Sequence, residues 1–154
     1  AGVSYTVIPR VLVFLTRADE VLLLRGAPDK KLWAGKYNGL GGHIEPGETP
    51  RQTAVREVYE EAGLAVDTLT LRAVIHVTLP QTPGVIFFVF VGEAPTGEIR
   101  PSAEGTPVWV RQTEIATLPL VEDIPELLPR VLESGPVVFG HYTFSADGLH
   151  AIFA

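Results

Sequence analysis

The chain has 154 residues, of which 46% are apolar, and carries a formal net charge of −6 with no cysteine. This length predicts one domain over residues 1–154, and the lack of cysteine excludes disulfides, thiolate metal ligands and a cysteine nucleophile. The acidic balance argues against a broad basic surface for a nucleic-acid polymer. No apolar run is long enough for a membrane span and no basic-then-apolar leader is visible, so we expect a cytoplasmic protein. Either a monomer or a homodimer is compatible with this composition.

The first third of the chain predicts a hairpin followed by a long loop. β-Branched and aliphatic runs at residues 7–15 and 21–24 flank turn-forming residues at 17–20. Pro9 has no backbone N–H, so we expect an edge position or a bulge near the start of the first strand. Residues 26–42 are rich in Gly, Lys and turn formers. They predict a loop and a short strand that lead into the next element.

Local signals predict a helix between Thr49 and Gly63. Thr49 suits the N-cap, Pro50 suits the first helical position, and Gln52 completes a capping box three residues after Thr49. Gly63 provides a C-terminal stop. The helix is expected to be amphipathic, with small and aliphatic residues on one face and carboxylates on another.

The second half of the chain predicts several short strands and a second helix. Strand patterns cover residues 71–79, 85–91, 108–110, 137–139, 142–144 and 149–153, with turns at 80–84 and 146–148. Residues 124–132 have a helical pattern, in which Pro125 fits the first turn and Pro129 predicts a bend. Many strands combined with two helices predict an α+β layered domain with a mixed sheet.

Three carboxylates share one turn of the first predicted helix. Glu57, Glu60 and Glu61 are three and four residues apart, so they point the same way and repel one another. Their position in the C-terminal half of the helix adds an unfavourable interaction with the helix dipole. A hard divalent cation such as Mg²⁺ would compensate, because it prefers oxygen ligands. The alternative is a solvated acidic face with salt bridges between successive turns.

The residues around these carboxylates favour the metal-binding interpretation. The pattern is Gly42, five residues, Glu48, seven residues, Arg56-Glu57, an aliphatic residue, Tyr59, Glu60-Glu61, Ala62, Gly63 and an aliphatic residue. It resembles the complete Nudix box of the Nudix hydrolase superfamily. That resemblance implies the Nudix fold, an α/β/α sandwich with a mixed sheet between helices. It also implies hydrolysis of a nucleoside diphosphate linked to another group.

The resemblance implies roles for the charged residues of the box. Glu57, Glu60 and Glu61 are expected to bind Mg²⁺ or Mn²⁺, and either Glu60 or Glu61 is expected to take a proton from the attacking water. Arg56 is expected to hold Glu48 or one of the metal ligands through a charge-assisted fork, a structural role whose loss would still reduce activity.

Further metal-site candidates flank the box. A Gly41 carbonyl ligand is implied by the resemblance, while Gly41 and Gly42 would otherwise only permit a turn between strand and loop. Gly63 has a structural role as the helix stop. Glu104 resembles an additional acidic ligand, with an ordinary surface glutamate as the alternative. Among the four histidines, His43 is adjacent to the box and is the one worth testing.

Substrate recognition is expected outside the box. Residues 35–42 resemble the segment that precedes the box in the MutT-like branch of oxidised-purine nucleoside triphosphate diphosphatases. Asn38 is the only asparagine in the chain, and its amide both donates and accepts hydrogen bonds, which suits a purine edge. An Asn-Gly turn without a ligand is the alternative. Lys36 and Arg25 are candidate triphosphate contacts.

Residues 118–123 and 140–144 are similar to segments of the mammalian oxidised-purine enzymes. This similarity implies that Glu122 and Asp123 bind the base, although acidic residues before a helix are also common caps. Leu120 and Val121 stand where an aromatic residue is expected. Tyr5 is one possible stacking partner for the base.

Three functions are therefore considered. The first is conversion of a purine nucleoside triphosphate, such as 8-oxo-dGTP, to monophosphate and pyrophosphate. The second is hydrolysis of ADP-ribose, a dinucleoside polyphosphate or capped RNA. The third is nucleotide sensing without catalysis, which is disfavoured because all the box carboxylates are present.

Overall fold

The computed structural model of the protein describes residue 2 and residues 4–154. Within these residues there are nine strands, two α-helices and one 3₁₀ helix (Gln112–Thr117). The strands and α-helices are β1 (Val7–Arg17), β2 (Glu20–Gly26), β3 (Tyr37–Asn38), β4 (Leu40–His43), α1 (Pro50–Ala62), β5 (Thr70–Val77), β6 (Gly84–Glu93), β7 (Gly105–Arg111), α2 (Ile124–Leu132), β8 (Val138–Ser145) and β9 (Gly148–Phe153).

All nine described strands belong to one mixed sheet. Its main order is β3-β2-β1-β6-β5-β8-β9, with β4 paired to β1 and β7 paired to β2. The β1–β6 and β5–β8 pairs are parallel, and the other pairs are antiparallel. Strand β1 is therefore internal, since it pairs with β6 on one side and with β2 and β4 on the other.

Strand β1 is buried on both faces, which explains its nearly continuous apolar sequence. Val11, Val13 and Leu15 pack in the core cluster that contains buried residues of α1. Leu12 and Phe14 alternate with them and pack in the cluster that contains α2. The sheet thus lies between the two helices, which confirms the predicted α+β, α/β/α-sandwich architecture.

Helix α1 begins and ends at the predicted residues. Thr49 accepts a hydrogen bond from the Gln52 N–H at 3.1 Å, and the Gln52 side chain accepts one from the Thr49 N–H at 2.8 Å. Gly63 ends the helix in the left-handed region with φ 78°, which glycine adopts without a steric cost. Ala54, Val58 and Ala62 are fully buried, so this face attaches the helix to the sheet.

Helix α2 also has the predicted bounds, with Pro125 in its first turn and Pro129 inside it. Its C-terminal end is held by Arg72 of β5, which is 8% exposed. The guanidinium donates to the carbonyls of Val131, Glu133, Gly135 and Pro136 at 2.6–3.4 Å. These contacts satisfy carbonyl groups that have no partner within the helix.

Strand β1 is internal over most of its length, but residues 7–9 pair with β6 alone, so Pro9 has the one-sided, edge-like position expected near the start of the strand. The Pro9 carbonyl accepts the Ile44 N–H at 3.0 Å, just beyond the β1–β4 register that starts at Arg10 and His43. The missing N–H therefore faces the end of the β4 ladder and does not interrupt the β6 pairing.

Other strand boundaries also differ from the predictions. The two segments predicted at 137–139 and 142–144 form the single strand β8, and the strand predicted at 108–110 extends over β7. The 3₁₀ helix was not predicted. None of the helices within the described residues is long and apolar enough to cross a membrane.

Candidate active site

Arg56 of α1 is the centre of a network of charged side chains. Its guanidinium contacts Glu48 through two nitrogens, at 2.7 and 3.0 Å, in a bidentate fork. It also donates to Glu57 at 2.9 Å, to Glu60 at 3.2 Å and to the His43 carbonyl at 3.2 Å. Arg56 therefore connects the loop before α1 to two of the predicted metal ligands.

The fork has a clear electrostatic effect on both partners. The Arg56 hydrogen bonds, together with the Glu45 N–H, lower the pKa of Glu48 to about 2. Hydrogen bonding to Glu48 in turn raises the pKa of Arg56. The pair stays charged at neutral pH, so the fork persists there.

Glu61 is buried although its neighbour Glu60 is not. Glu61 is 5% exposed, whereas the side chain of Glu60 is 54% exposed. The Glu61 carboxylate accepts the Gly41 N–H at 2.7 Å. Burial raises the pKa of Glu61 to about 8, the Gly41 N–H opposes that rise, and the charges of Glu57 and Glu104 add to it.

Glu57 lies against the glycine pair of β4. Its side chain is 13% exposed, and burial raises its pKa while Arg56 opposes the rise. A Cβ atom at Gly42 would lie 2.6 Å from a Glu57 carboxylate oxygen. Gly42 therefore leaves the space that this carboxylate occupies.

Glu104 lies in the turn that immediately precedes β7. Its side chain forms an ion pair with Lys30, and its charge contributes to raising the pKa of both Glu57 and Glu61. Lys30 has the opposite effect on Glu61. The three carboxylates are thus close enough to interact electrostatically.

The donor set suits a hard divalent cation. The Glu57 side chain is 13% exposed and Glu61 is 5% exposed. A nearby positive charge would stabilise the ionised form of each carboxylate at neutral pH. As they stand, no three Asp, Glu or His side chains among the described residues are arranged to hold a metal ion. Glu57 and Glu60 face Arg56, and Glu61 faces the Gly41 N–H. Binding a cation would require these side chains to reorient.

A cleft of about 460 Å³ lies beside the acidic turn of α1. It brings together six of the residues predicted from the sequence: Lys36, Asn38, Gly41, Glu61, Glu122 and Asp123. The rest of its lining is mainly apolar and aromatic, including Trp33, Phe87, Tyr142 and Phe144. An apolar cleft with a few polar groups at its wall is typical of a small-molecule site.

Glu122 and Asp123 are held by the β8–β9 hairpin. Glu122 accepts the Leu149 N–H at 2.6 Å, and Asp123 accepts the Tyr142 hydroxyl at 2.9 Å. Asp123 occupies the N-cap position of α2, but in helical conformation, and its side chain makes no cap hydrogen bond within the described residues. The capping alternative therefore does not account for Asp123.

Asn38 lies in the cleft lining, whereas Arg25 lies outside it. Asn38 accepts the Gly39 N–H at 2.8 Å, so one end of its amide stabilises the local turn. Arg25 lines a separate cavity of about 470 Å³ with Gly26, Gly35 and Thr106, and is not among the residues that line the cleft. Its neighbour Leu24 lines the cleft, which agrees with the alternation of side chains along β2.

Tyr5 and the histidines lie outside the cleft lining. The Tyr5 hydroxyl is 2.7 Å from His76 Nε2, and the His76 ring stacks on that of His141 at 5.0 Å. Val77 lines the cleft, so the adjacent His76 points to the opposite face of the sheet. His43 contributes its carbonyl to Arg56.

Several residues of the cleft were not predicted from the sequence. Arg10 lines the cleft from β1, and Phe87 lines it from the paired position on β6. Arg10 interrupts an otherwise apolar strand, which was the available signal. Phe87 had no comparable signal, because aromatic residues in strands usually belong to the core. Tyr142 and Phe144 lie in the segment 140–144, whose resemblance was noted without a role for either residue.

The mixed sheet between two helices is shared with solved MutT structures, and a carboxylate-rich turn beside a cleft, as here, is found in hydrolases that bind nucleotides and generally use divalent metal ions. Residues 7–131 match the NUDIX domain family. The chain therefore belongs to the Nudix family and is a Nudix hydrolase, as the box residues predicted.

Known proteins similar to the chain include two enzymes from vertebrates. Oxidized purine nucleoside triphosphate hydrolase of Mus musculus is 31% identical over 134 residues, covering 86% of this chain and 84% of the mouse protein. The Danio rerio protein of the same name is 36% identical over 99 residues, covering 64% and 62% of the two chains. A mutator MutT protein from Bacillus halodurans has the same fold, with a TM-score of 0.84 at 23% identity over 96% of this chain and 97% of its own.

Proposed function

We propose that the protein is a cytoplasmic, single-domain diphosphatase that converts a purine nucleoside triphosphate, with 8-oxo-dGTP as the leading candidate, to the monophosphate and pyrophosphate. The observation that carries this proposal is the shared cleft. Glu61 and Gly41 line one part of it, and the acid pair Glu122 and Asp123 lines another. Groups suited to a metal-bound phosphate and groups suited to a purine edge thus border the same space.

The proposed reaction is attack of water on phosphorus. The water oxygen bonds to phosphorus, the bridging P–O bond to pyrophosphate breaks, and the water proton passes to Glu60 or Glu61. A bound Mg²⁺ or Mn²⁺ would supply charge neutralisation of the triphosphate and a lower pKa for the water. Glu57, Glu60 and Glu61 would hold that ion, with Gly41 and Glu104 as further candidates.

Arg56 and the cleft walls have supporting roles in this proposal. Arg56 holds Glu57 and Glu60 beside one another in the metal-free site through its contacts at 2.9 and 3.2 Å. Lys36 is the candidate cation for the triphosphate, and Asn38 is a candidate for the purine edge. The apolar and aromatic lining excludes water from the base.

A relative with a different activity supports an alternative. NAD-capped RNA hydrolase NudC of Pseudomonas syringae is 33% identical over 119 residues, which cover 77% of this chain but only 38% of that protein. A dinucleotide or ADP-ribose substrate is therefore the second candidate. The acidic net charge of −6 weighs against long RNA.

The test is pyrophosphate or phosphate release with Mg²⁺ from 8-oxo-dGTP, 2-hydroxy-dATP, dGTP, ADP-ribose and diadenosine polyphosphates. We expect preferential turnover of an oxidised purine triphosphate, and a loss of at least about 100-fold in kcat for Glu60→Gln. Glu114→Gln, an exposed glutamate on the 3₁₀ helix, is the matched control. Preference for ADP-ribose or a dinucleotide would move the assignment to the second candidate. Full turnover by Glu60→Gln would remove that residue from the metal site.

A further inference from the structure

The C-terminal hairpin β8–β9 reaches the cleft beside the two acidic residues that precede α2. Tyr142 of β8 donates its hydroxyl to Asp123 Oδ2 at 2.9 Å, and Leu149 of β9 donates its N–H to Glu122 Oε2 at 2.6 Å. Each contact uses one oxygen of its carboxylate. Each carboxylate has a second oxygen, Asp123 Oδ1 and Glu122 Oε1, with the capacity to accept a hydrogen bond from a ligand.

The Tyr142 hydroxyl is held in place by packing. Tyr142 is 3% exposed, and its ring makes edge contacts with Phe87 at 6.0 Å and Phe153 at 6.1 Å between centroids. A ring packed on two sides has little freedom to rotate away from Asp123. The hydroxyl therefore fixes the side-chain orientation of Asp123 in the cleft wall.

The hydroxyl also affects the charge of Asp123. Burial raises the pKa of Asp123, Glu122 adds to the rise, and the hydrogen bond from Tyr142 opposes it. Glu126 and Arg130 of α2 are the other charged groups that act on Tyr142. Donation from Tyr142 thus favours the ionised carboxylate, which accepts hydrogen bonds and does not donate them.

We propose that Tyr142 is a positioning residue for base selectivity, which holds Asp123 as a hydrogen-bond acceptor for N–H groups on the edge of a guanine-type purine. Such an edge presents adjacent N–H donors, whereas the corresponding ring nitrogen of adenine is an acceptor. Asp123 and Glu122 each offer one acceptor oxygen, which matches two donors. This inference rests on the proposed function, because it assigns the acid pair to the base.

The test measures nucleotide binding without metal, so that it does not depend on catalysis. Calorimetry would compare dGMP, 8-oxo-dGMP, dAMP and 2-deoxyribose 5-phosphate on the wild type and on Tyr142→Phe, which keeps the aromatic ring. We expect Tyr142→Phe to bind the two guanine nucleotides about 10-fold more weakly, the effect of one hydrogen bond involving a charged group. Binding of dAMP and of the base-free phosphate should change less than about 2-fold. Tyr5→Phe, whose hydroxyl lies at His76 away from the cleft, should bind all four ligands as the wild type does.

A double-mutant cycle with Asp123→Asn tests whether Tyr142 acts through Asp123. If it does, Tyr142→Phe has no further effect on guanine binding in the Asp123→Asn background. Additive losses, an equal loss for all four ligands, or unchanged guanine binding in Tyr142→Phe would each overturn the inference. The proposed function fails separately, if the wild type hydrolyses none of the purine triphosphates.

Discussion

Glu61→Gln should make the metal-free protein more stable and less active. Glu61 is 5% exposed and has a pKa of about 8 in the folded protein, against an ordinary value of 4.5. A buried carboxylate with a raised pKa costs no stability while it is protonated, below pH 4.5. The cost grows as the pH rises, and it levels off above the folded-state pKa. Glutamine keeps the acceptor for the Gly41 N–H and avoids that cost.

The size of the effect follows from the shift in pKa. Above pH 4.5 the penalty grows by about 1.4 kcal/mol per pH unit, so it reaches about 3 kcal/mol at pH 7. A chain of 154 residues has an unfolding entropy of about 0.3 kcal/mol/K. Glu61→Gln is therefore expected to raise Tm by about 10 °C at pH 7 and by about 2 °C at pH 5.

The assay is thermal unfolding in EDTA from pH 4.5 to 8.5, followed by a repeat with Mg²⁺. Glu60→Gln is the control, because it is the same substitution at the next residue, where the side chain is 54% exposed. We expect little change in its Tm. Added Mg²⁺ should stabilise the wild type more than Glu61→Gln, since the variant lacks one carboxylate of the proposed site. Both variants should lose most of their hydrolytic activity.

One outcome would contradict this reasoning directly. If Glu61→Gln and Glu60→Gln gave the same Tm difference from the wild type at every pH, burial of Glu61 would have no electrostatic cost. A Tm increase that did not depend on pH would point to improved packing, because a neutral effect carries no proton linkage.

Three further substitutions test other contacts. Arg72→Met should lower Tm by about 10 °C, because the hydrogen bonds to the carbonyls at the end of α2 contribute about 3 kcal/mol of stability. The control is Arg130→Met, at an exposed arginine, and an equal decrease in its Tm would contradict this prediction. Glu48→Gln should lower Tm at pH 6 but not near pH 2. The folded-state pKa of Glu48 is about 2, so its ion pair with Arg56 stabilises the fold only above about that pH. A Tm difference between variant and wild type that stayed constant from pH 2 to 6 would contradict the stabilising role of this ion pair. Asn38→Ala should raise KM for purine triphosphates without changing that for a base-free triphosphate. Asn38→Asp keeps an acceptor for the Gly39 N–H but lacks the amide donor. If the donor binds the base, Asn38→Asp should raise KM as Asn38→Ala does. If Asn38 only stabilises the turn, KM of Asn38→Asp should equal that of the wild type.

Local signals predicted those parts of the fold that are encoded locally. The capping box at Thr49 and the stop at Gly63 gave the bounds of α1, because both act on backbone groups a few residues away. The resemblance of the box predicted the family and the sandwich architecture. Pro9 has the expected edge-like position, although the sequence does not show that the strand absent beside it is β4.

The parts that escaped prediction depend on contacts between distant segments. Glu60 and Glu61 are adjacent in the chain, yet only Glu61 is buried, because α1 packs its side against β4. Tyr142 meets Asp123 across 19 residues, and Arg72 meets the end of α2 across about 60 residues. Such contacts follow from strand order, which periodicity does not supply. Arg25 lies outside the cleft because adjacent residues of a strand point to opposite faces of the sheet, and Leu24 of β2 faces the cleft.

The glycine pair of β4 has a consequence for folding accuracy. A Cβ atom at Gly41 would collide with the Val11 carbonyl, and one at Gly42 would press on the Glu57 carboxylate. A one-residue slip of β4 along β1 in one direction would bring Leu40 to the Gly41 position, where its Cβ atom would collide with the backbone of Val11. Slippage in that direction is therefore opposed sterically, before any metal or nucleotide binds. Strand alignment and the spacing of the acidic helix from the sheet are thus set by the same two residues.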